Sequence, residues 1–479
     1  MKRAFFKIIF LVVVLISMSY CVKFPKRVPV IKEEIEKAYI YPYNNEVKNA
    51  TAEISITTDG SIDLNDLIVE IPYLKYNKSW LFLLTQDDCV QTAFCSTWAA
   101  INGKPLSPNI DYYYDIDHLR GNDLPPGTYT LPKTLGSTDG TGNEVRFSFT
   151  TTLSPEFEWM SSKTIVNKNY KADYYRFKMK SGLTWKNVRE MLNYDVGIAF
   201  HDIKLADESF LNNTDSILKH YILSQNIIKD SLNRRGCKTF AEPFNPTGAN
   251  SFVEAANRDN PIQAMTGQSG TEILYPYKVN ADLYKVLLDR SFYSEIEVRD
   301  KITEQLLLKK EDRKAIHVGV HKTGILWAET LLWLNDTYGK DGDDSVWVPN
   351  LEEYYEYNYY RLNSSISKRV SGNTLIITVV LPSGEYFYYP SVTVNVKGLN
   401  KSNITLLTTN SQVTGMSYGN YDKGVMVNLD CRKFLVERAT FFVEKYEKNK
   451  TNTNLADARY FVNPLKESTI KTGLLNRIK

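Results

Sequence analysis

One stretch of the chain commits it to a sheet covered on both sides: Ser79 to Cys95, SWLFLLTQDDCVQTAFC. Leu81 to Leu84 form a short continuous apolar run without the alternation of a strand that has one wet face. Such a run reads as a strand buried on both faces, as in a parallel sheet under helices. Gln86, Asp87 and Asp88 follow at its end, so two adjacent carboxylates sit where a buried strand opens into a loop. Cys89 to Ile101 then reads as a helix, and one of the aspartates could simply be its N-cap.

Between Thr184 and about Arg361 helical and strand patterns alternate, which argues for an α/β domain built on a parallel sheet or barrel. Thr184 can cap a helix through Leu192, and Val196 to Phe200 follow as a strand delivering His201. Thr214 or Asp215 can cap a long helix to Arg235, and Thr239 to Ala241 form a short strand ending at Glu242. A helix over roughly Val298 to Lys309 precedes a strand, Ala315 to Val320, that ends at His321. Gly324 to Tyr338 is a helix stopped by Gly339, Val346 to Val348 a strand, and Asn350 caps the tyrosine-rich helix LEEYYEYNYYRL. The segment from about Asn102 to Glu158 reads as a long surface excursion with short strands such as Val145 to Thr150.

The flanks have a different character. Ala52 to Val69 alternates, with Asp59-Gly60 as a hairpin turn. After Ser364, strand-like runs at Thr374–Val380, Glu385–Tyr389, Val392–Val396, Ile404–Thr408, Gly424–Asn428 and Thr440–Val443 suggest a β-sandwich of six or seven strands. The expected division is a signal peptide over 1–21, a tether and small β element over 22–70, and an α/β barrel over 71–362. A β-sandwich over 365–448 and a polar, loose tail over 449–479 complete it.

Lys2, Arg3 and Lys7 precede an apolar run from Ile8 to Ile16, and Ser17 and Ser19 come before Cys21, the order of a secretory signal. The run is shorter than the ~20 apolar residues of a membrane span. Ser19-Tyr20-Cys21 loosely resembles a lipoprotein cleavage box. The chain is therefore expected to be exported, lipid-anchored to the cell envelope at Cys21 or otherwise secreted or periplasmic. The other four cysteines, Cys89, Cys95, Cys237 and Cys431, allow three complete pairings or remain as buried thiols. With 58 Lys plus Arg against 55 Asp plus Glu, the balance of +3 shows no phosphate-seeking surface, and nucleic acid is not an expected partner.

Four strand ends thus hold Asp87 with Asp88, His201, Glu242 and His321. In a barrel of parallel strands such groups converge on one face. Aspartate and histidine together suit a divalent metal such as zinc, with a second carboxylate as base and a histidine as acid. A glycoside hydrolase with two facing carboxylates is a weaker alternative.

Leu84-Thr85-Gln86-Asp87-Asp88, Leu183-Thr184-Trp185, the strand Val196 to His201, Glu242-Pro243 and the late His321 resemble the polysaccharide deacetylases of carbohydrate esterase family four, the NodB-homology group, in a divergent exported branch. The resemblance covers about Ile71 to Arg361. It implies a distorted (β/α) barrel and a metal-dependent hydrolase removing acetyl groups from a glycan. Asp87 would be the catalytic base, Asp88 and His201 metal ligands and His321 the general acid. Leu205 stands in the place of the family's second metal histidine, and the arginine-bearing third motif has become Ala241-Glu242-Pro243. Loss of the metal, leaving a glycan-binding or scaffold protein, is the rival expectation. Asp202, Asp207 or Glu242 could instead complete the shell with oxygen.

Overall fold

In the computed structural model the described residues are 41–43, 49–107, 109–166, 175–178, 181–204, 213–243, 251–268 and 272–479. The segment expected to be a signal peptide, with Cys21, and the positions Leu205 and Asp207 lie outside them.

Among the described residues, eight parallel strands form the central sheet. They are β1 (Trp80–Gln86), β2 (Thr150–Leu153), β3 (Gly197–Phe200), β4 (Thr239–Ala241), β5 (Ala264–Gly267), β6 (Leu287–Asp289), β7 (Ile316–Val320) and β8 (Val346–Trp347). Neighbours run β6-β5-β4-β3-β2-β1-β7, and β8 pairs with the first residues of β1. Beyond β6, Ser291 bridges Val318 of β7, so the sheet curls into a nearly closed barrel with a single seam. Every residue of β1 is buried, as its unbroken apolar run requires.

Three of these strands carry little sequence signal. Thr150–Leu153 is three threonines and a leucine, yet wholly buried; the sequence places it in a surface excursion whose expected strand, Val145 to Thr150, splits here into Glu144–Arg146 and Thr150–Leu153. Ala264–Gly267 and Leu287–Asp289 are short and mixed in character. The helix expected to follow Asp88 is also altered. A π-helical turn, Ala93–Trp98, runs into a short α-helix, Ala99–Ile101, and Thr92 stands at the N-cap, so neither aspartate caps it.

The tyrosine-rich helix Leu351–Asn363, capped by the Asn350 side chain, packs across the lower end of the barrel against β1, β3, β5 and the sandwich. Its Glu352 and Glu356 are fully buried and pair with Arg235 at 2.5 Å and Lys238 at 2.6 Å. The barrel is stoppered from below, and access is from the C-terminal strand ends.

Two four-stranded antiparallel sheets form the sandwich. One has the order Ser365–Ser371, Thr374–Leu381, Ala50–Thr58, Ile404–Thr409, and the other Gly415–Tyr421, Gly424–Asp430, Ser391–Lys397, Ile68–Glu70. Ala50–Thr58 and Ile68–Glu70 therefore do not form a hairpin: Asp59-Gly60 begins a crossover between the sheets, and each N-terminal strand pairs with C-terminal ones. Alternation identified both strands, but alternation does not name a partner. Glu385–Tyr389 is not a strand, and Thr440–Val443 lies inside the helix Leu435–Lys448. Leu435, Arg438, Ala439, Phe442 and Val443 are the buried residues of that helix, a spacing of three and four that marks a helical face. The tail, expected to be loose, forms two more helices, Asn452–Val462 and Thr469–Arg477. All four described cysteines are buried free thiols.

Candidate functional site

The site grows from the backbone at the end of β1. The Asp87 amide donates to the Val320 carbonyl at 2.8 Å, which ties the ends of β1 and β7 together. Asp88 and Cys89 then adopt left-handed conformations, with φ +61° and +48°. For residues bearing a Cβ this backbone costs about 1–2 kcal/mol each. The kink leaves the Asp87 side chain buried within the mouth and that of Asp88 half exposed at its rim.

His201, at the end of β3, is 2% exposed. Its Nδ1 lies 2.9 Å from Asp202 Oδ1, and its Nε2 faces Asp87 Oδ2 at 3.5 Å. Ser154, just after β2, donates its hydroxyl to Asp202 Oδ2 at 2.6 Å. One donor atom from each of Asp88, His201 and Asp202 lies within 4.8 Å of the others. An imidazole with two carboxylates is a donor set that zinc and similar divalent ions accept, and the exposed rim at Asp88 leaves room for further ligands. The residues present fit a divalent cation.

Asp87 is clamped from the other side. Arg290 Nη1 donates to its Oδ1 at 2.7 Å, and Arg290 Nη2 donates to the Glu242 carbonyl at 2.8 Å. Burial pushes the Asp87 carboxyl up, but the Arg290 guanidinium and His201 outweigh it and hold the group below the usual carboxylate range. Burial likewise opposes charge on His201. Asp87 and Asp202 reverse that effect and raise the imidazole to about 9. Asp88 is pushed up by burial, against the pull of His201 and His321.

His321, after β7, stacks on Phe292 with ring centroids 4.9 Å apart, and its Nε2 lies 4.0 Å from Asp88 Oδ2. Its neighbour on the same strand, His317, is buried, with Nε2 3.3 Å from Thr266 Oγ1. Glu242 meets Arg290 at the mouth through its carbonyl. Its carboxylate accepts from the Gln268 amide at 3.0 Å, on the β5 side, and stands outside the Asp88 group. The structure thus gathers Asp87, Asp88, His201 and His321 at one mouth and adds Asp202. Arg290 was missed because it follows β6, a three-residue strand with almost no signature. An arginine does reach Asp87, from β6 rather than from the strand before Glu242.

Fold and site together define a class, a nearly closed parallel (β/α) barrel with an Asp-His-Asp group where its strands end. A family model described as "putative polysaccharide deacetylase" matches residues 52–479, and the chain belongs to that family. The match extends past the barrel through the sandwich and the C-terminal helices. No curated protein matches the chain. Membership carries a deacetylase-like function and a carbohydrate substrate.

Proposed function

We propose that this protein is a metal-dependent hydrolase that removes acetyl groups from a glycan, with zinc as the metal. The observation carrying the reading is the Asp88, His201 and Asp202 grouping beside an Asp87 clamped by Arg290. Asp88 and His201 Nε2 would hold the ion, while Asp202, bonded to Nδ1, fixes the ring and stands within reach as a third ligand. When bound, the ion supplies a positive charge for the acyl oxygen and a water of lowered pKa. Asp87, kept ionised by Arg290, is the base that takes the proton of the attacking water. His321 at the rim is the acid that returns a proton to the leaving nitrogen or oxygen of the sugar. Export to the cell envelope, with Cys21 lipidated, is part of the same reading, and mass spectrometry of the membrane-associated protein tests it.

One observation favours a second reading, a glycan-binding or scaffold protein with impaired catalysis. Both Asp202 oxygens already accept, from His201 and Ser154, and His201 Nε2 already faces Asp87 at 3.5 Å, which leaves Asp88 as the least committed ligand of the group. Metal content and acetate release from N-acetylated and O-acetylated oligosaccharides separate the two. Asp88→Ala and His201→Ala are expected to lose metal. Asp87→Asn is expected to keep it and to release acetate about 100-fold more slowly or worse. A metal-free wild-type protein that releases no acetate would establish the binder.

A further inference from the structure

We infer that the groove between the sandwich and the lower end of the barrel is a second, non-catalytic binding site for an oligosaccharide. The inference rests on the carbohydrate substrate of the proposed function for the class of ligand, and on its own geometry for the place. The groove has a volume of about 380 Å³, within the ~300–1,000 Å³ common for ligand sites.

Tyr73 and Tyr277 line one wall, with ring centroids 5.5 Å apart. Both rings are held in place. The Tyr277 hydroxyl donates to the Lys78 carbonyl at 2.8 Å, and the Arg361 guanidinium sits 4.7 Å from the centre of the Tyr73 ring. Tyr421 enters from the sandwich, and its hydroxyl is buried with no hydrogen-bond partner among the described residues. Lys310 and Lys423 bring ammonium groups to a lining that also carries Glu311 and Asp422; neither lysine forms an ion pair among the described residues, and Lys310 lies 5.5 Å from the Tyr277 ring centre.

A pyranose matches this wall, because it offers an apolar ring face to a tyrosine and hydroxyls or an acidic substituent to the polar groups around it. Tyrosine serves that contact well, having an apolar body, a polar tip and few rotors to immobilise. The groove is also separate from the mouth. Lys78 precedes β1 and Asp88 follows it, so the seven-residue strand puts roughly 20 Å or more between the two sites. A glycan held there is anchored to the protein without occupying the acetyl site.

The test is calorimetric titration of the full chain carrying Asp88→Ala, with tetra-N-acetylchitotetraose as a neutral probe and tetragalacturonate as an acidic one. We expect at least one probe to bind this variant, and Tyr73→Ala to weaken that binding fivefold or more. Lys310→Glu with Lys423→Glu is expected to weaken only the acidic probe. Tyr73 is partly exposed and both lysines lie at the surface of the groove, so unchanged melting curves will show that the variants fold. Binding that disappears with Asp88→Ala would place the glycan at the mouth and overturn the groove while leaving the proposed function intact. Binding unchanged by Tyr73→Ala, or no binding of either probe, would also overturn it. Groove binding by a wild-type protein that releases no acetate would overturn the proposed function instead.

Discussion

At φ +61° Asp88 holds its Cβ in the left-handed region, and Cys89 repeats the strain at +48°. Strain of this kind persists where surrounding structure enforces it; here the Cys89 amide is fixed by the Thr152 hydroxyl at 3.2 Å. Glycine takes the same backbone without a Cβ penalty, and the Asp88 carboxylate is half exposed, so Asp88→Gly should stabilise the fold by about 1 kcal/mol. The same variant should bind no metal, and thermal unfolding beside metal analysis reads both effects. Arg290 carries the opposite balance. Removing it as Arg290→Met strands the buried Asp87 carboxylate and should destabilise the protein by about 3–5 kcal/mol, with part recovered in the double variant that also carries Asp87→Asn. His317 makes a prediction about pH. Burial, helped by the nearby Arg290, pushes its imidazole down to about 3, far below the ordinary value near 6.5. Below pH ~6.5 the unfolded chain takes up a proton that the folded chain refuses. Stability present above that pH is therefore lost as pH falls toward 3, by up to about 1.4 kcal/mol per unit. His317→Gln should flatten this acid limb in denaturant titrations at stepped pH. Asp87, Asp88, His201 and His321 were all legible as residues that end strands, because a buried strand must deliver whatever follows it to the barrel mouth. Arg290 was not, since nothing local distinguishes one arginine after a three-residue strand from any other.

The C-terminal helices dock through ion pairs, among them Arg438 with Asp195 at 2.9 Å and a cluster on one fully buried carboxylate, Asp457. Asp457, on Asn452–Val462, accepts from Lys104 at 2.5 Å, Arg146 at 2.7 Å and the Tyr194 hydroxyl at 2.7 Å. Burial pushes this carboxyl up, but Lys104 and Arg146 outweigh it and hold it well below the usual range. Around it Phe442 and Phe461 stack at 4.0 Å, and Tyr194 meets both edge-on. Asp457→Asn keeps the shape but leaves two buried cations with a neutral partner, so a loss of about 3 kcal/mol is expected. Because the loss falls at one interface, limited proteolysis should release the segment from Leu435 onward before the barrel is cut. This element was hidden by a local resemblance between periods. Thr-Phe-Phe-Val is apolar and β-branched enough to read as a strand, and only the wider spacing from Leu435 to Val443 reveals the helix. β2 was hidden for the converse reason. Its threonines look like loop chemistry until the Cys89 and Leu351 amides are seen to bond to Thr152 and Thr150.

The order of the chain makes the sandwich and the barrel interdependent. Ala50–Thr58 is an inner strand, paired antiparallel with Thr374–Leu381 on one side and Ile404–Thr409 on the other. The chain enters through the sandwich, builds the barrel, stoppers it with Leu351–Asn363 and returns to finish the sheets it began. Ala50, Ala52, Ile54 and Ile56 fill the same core as Leu375, Ile377, Val425 and Val427. A protein beginning at Ile71, the start of the barrel as read along the sequence, would lack that inner strand and expose two unpaired edges beside an opened apolar core. Such edges template association, so this truncation should be recovered as aggregate. A protein beginning at Tyr41 keeps the strand, and also keeps Tyr41 and Tyr43, whose amide and hydroxyl bond to Asn193 and to the Leu192 carbonyl beside β3. It should remain soluble and melt within a few degrees of the full chain. Size-exclusion chromatography of the two truncations decides the point, and a monodisperse protein from Ile71 would show that the two sheets can close without the strand between them.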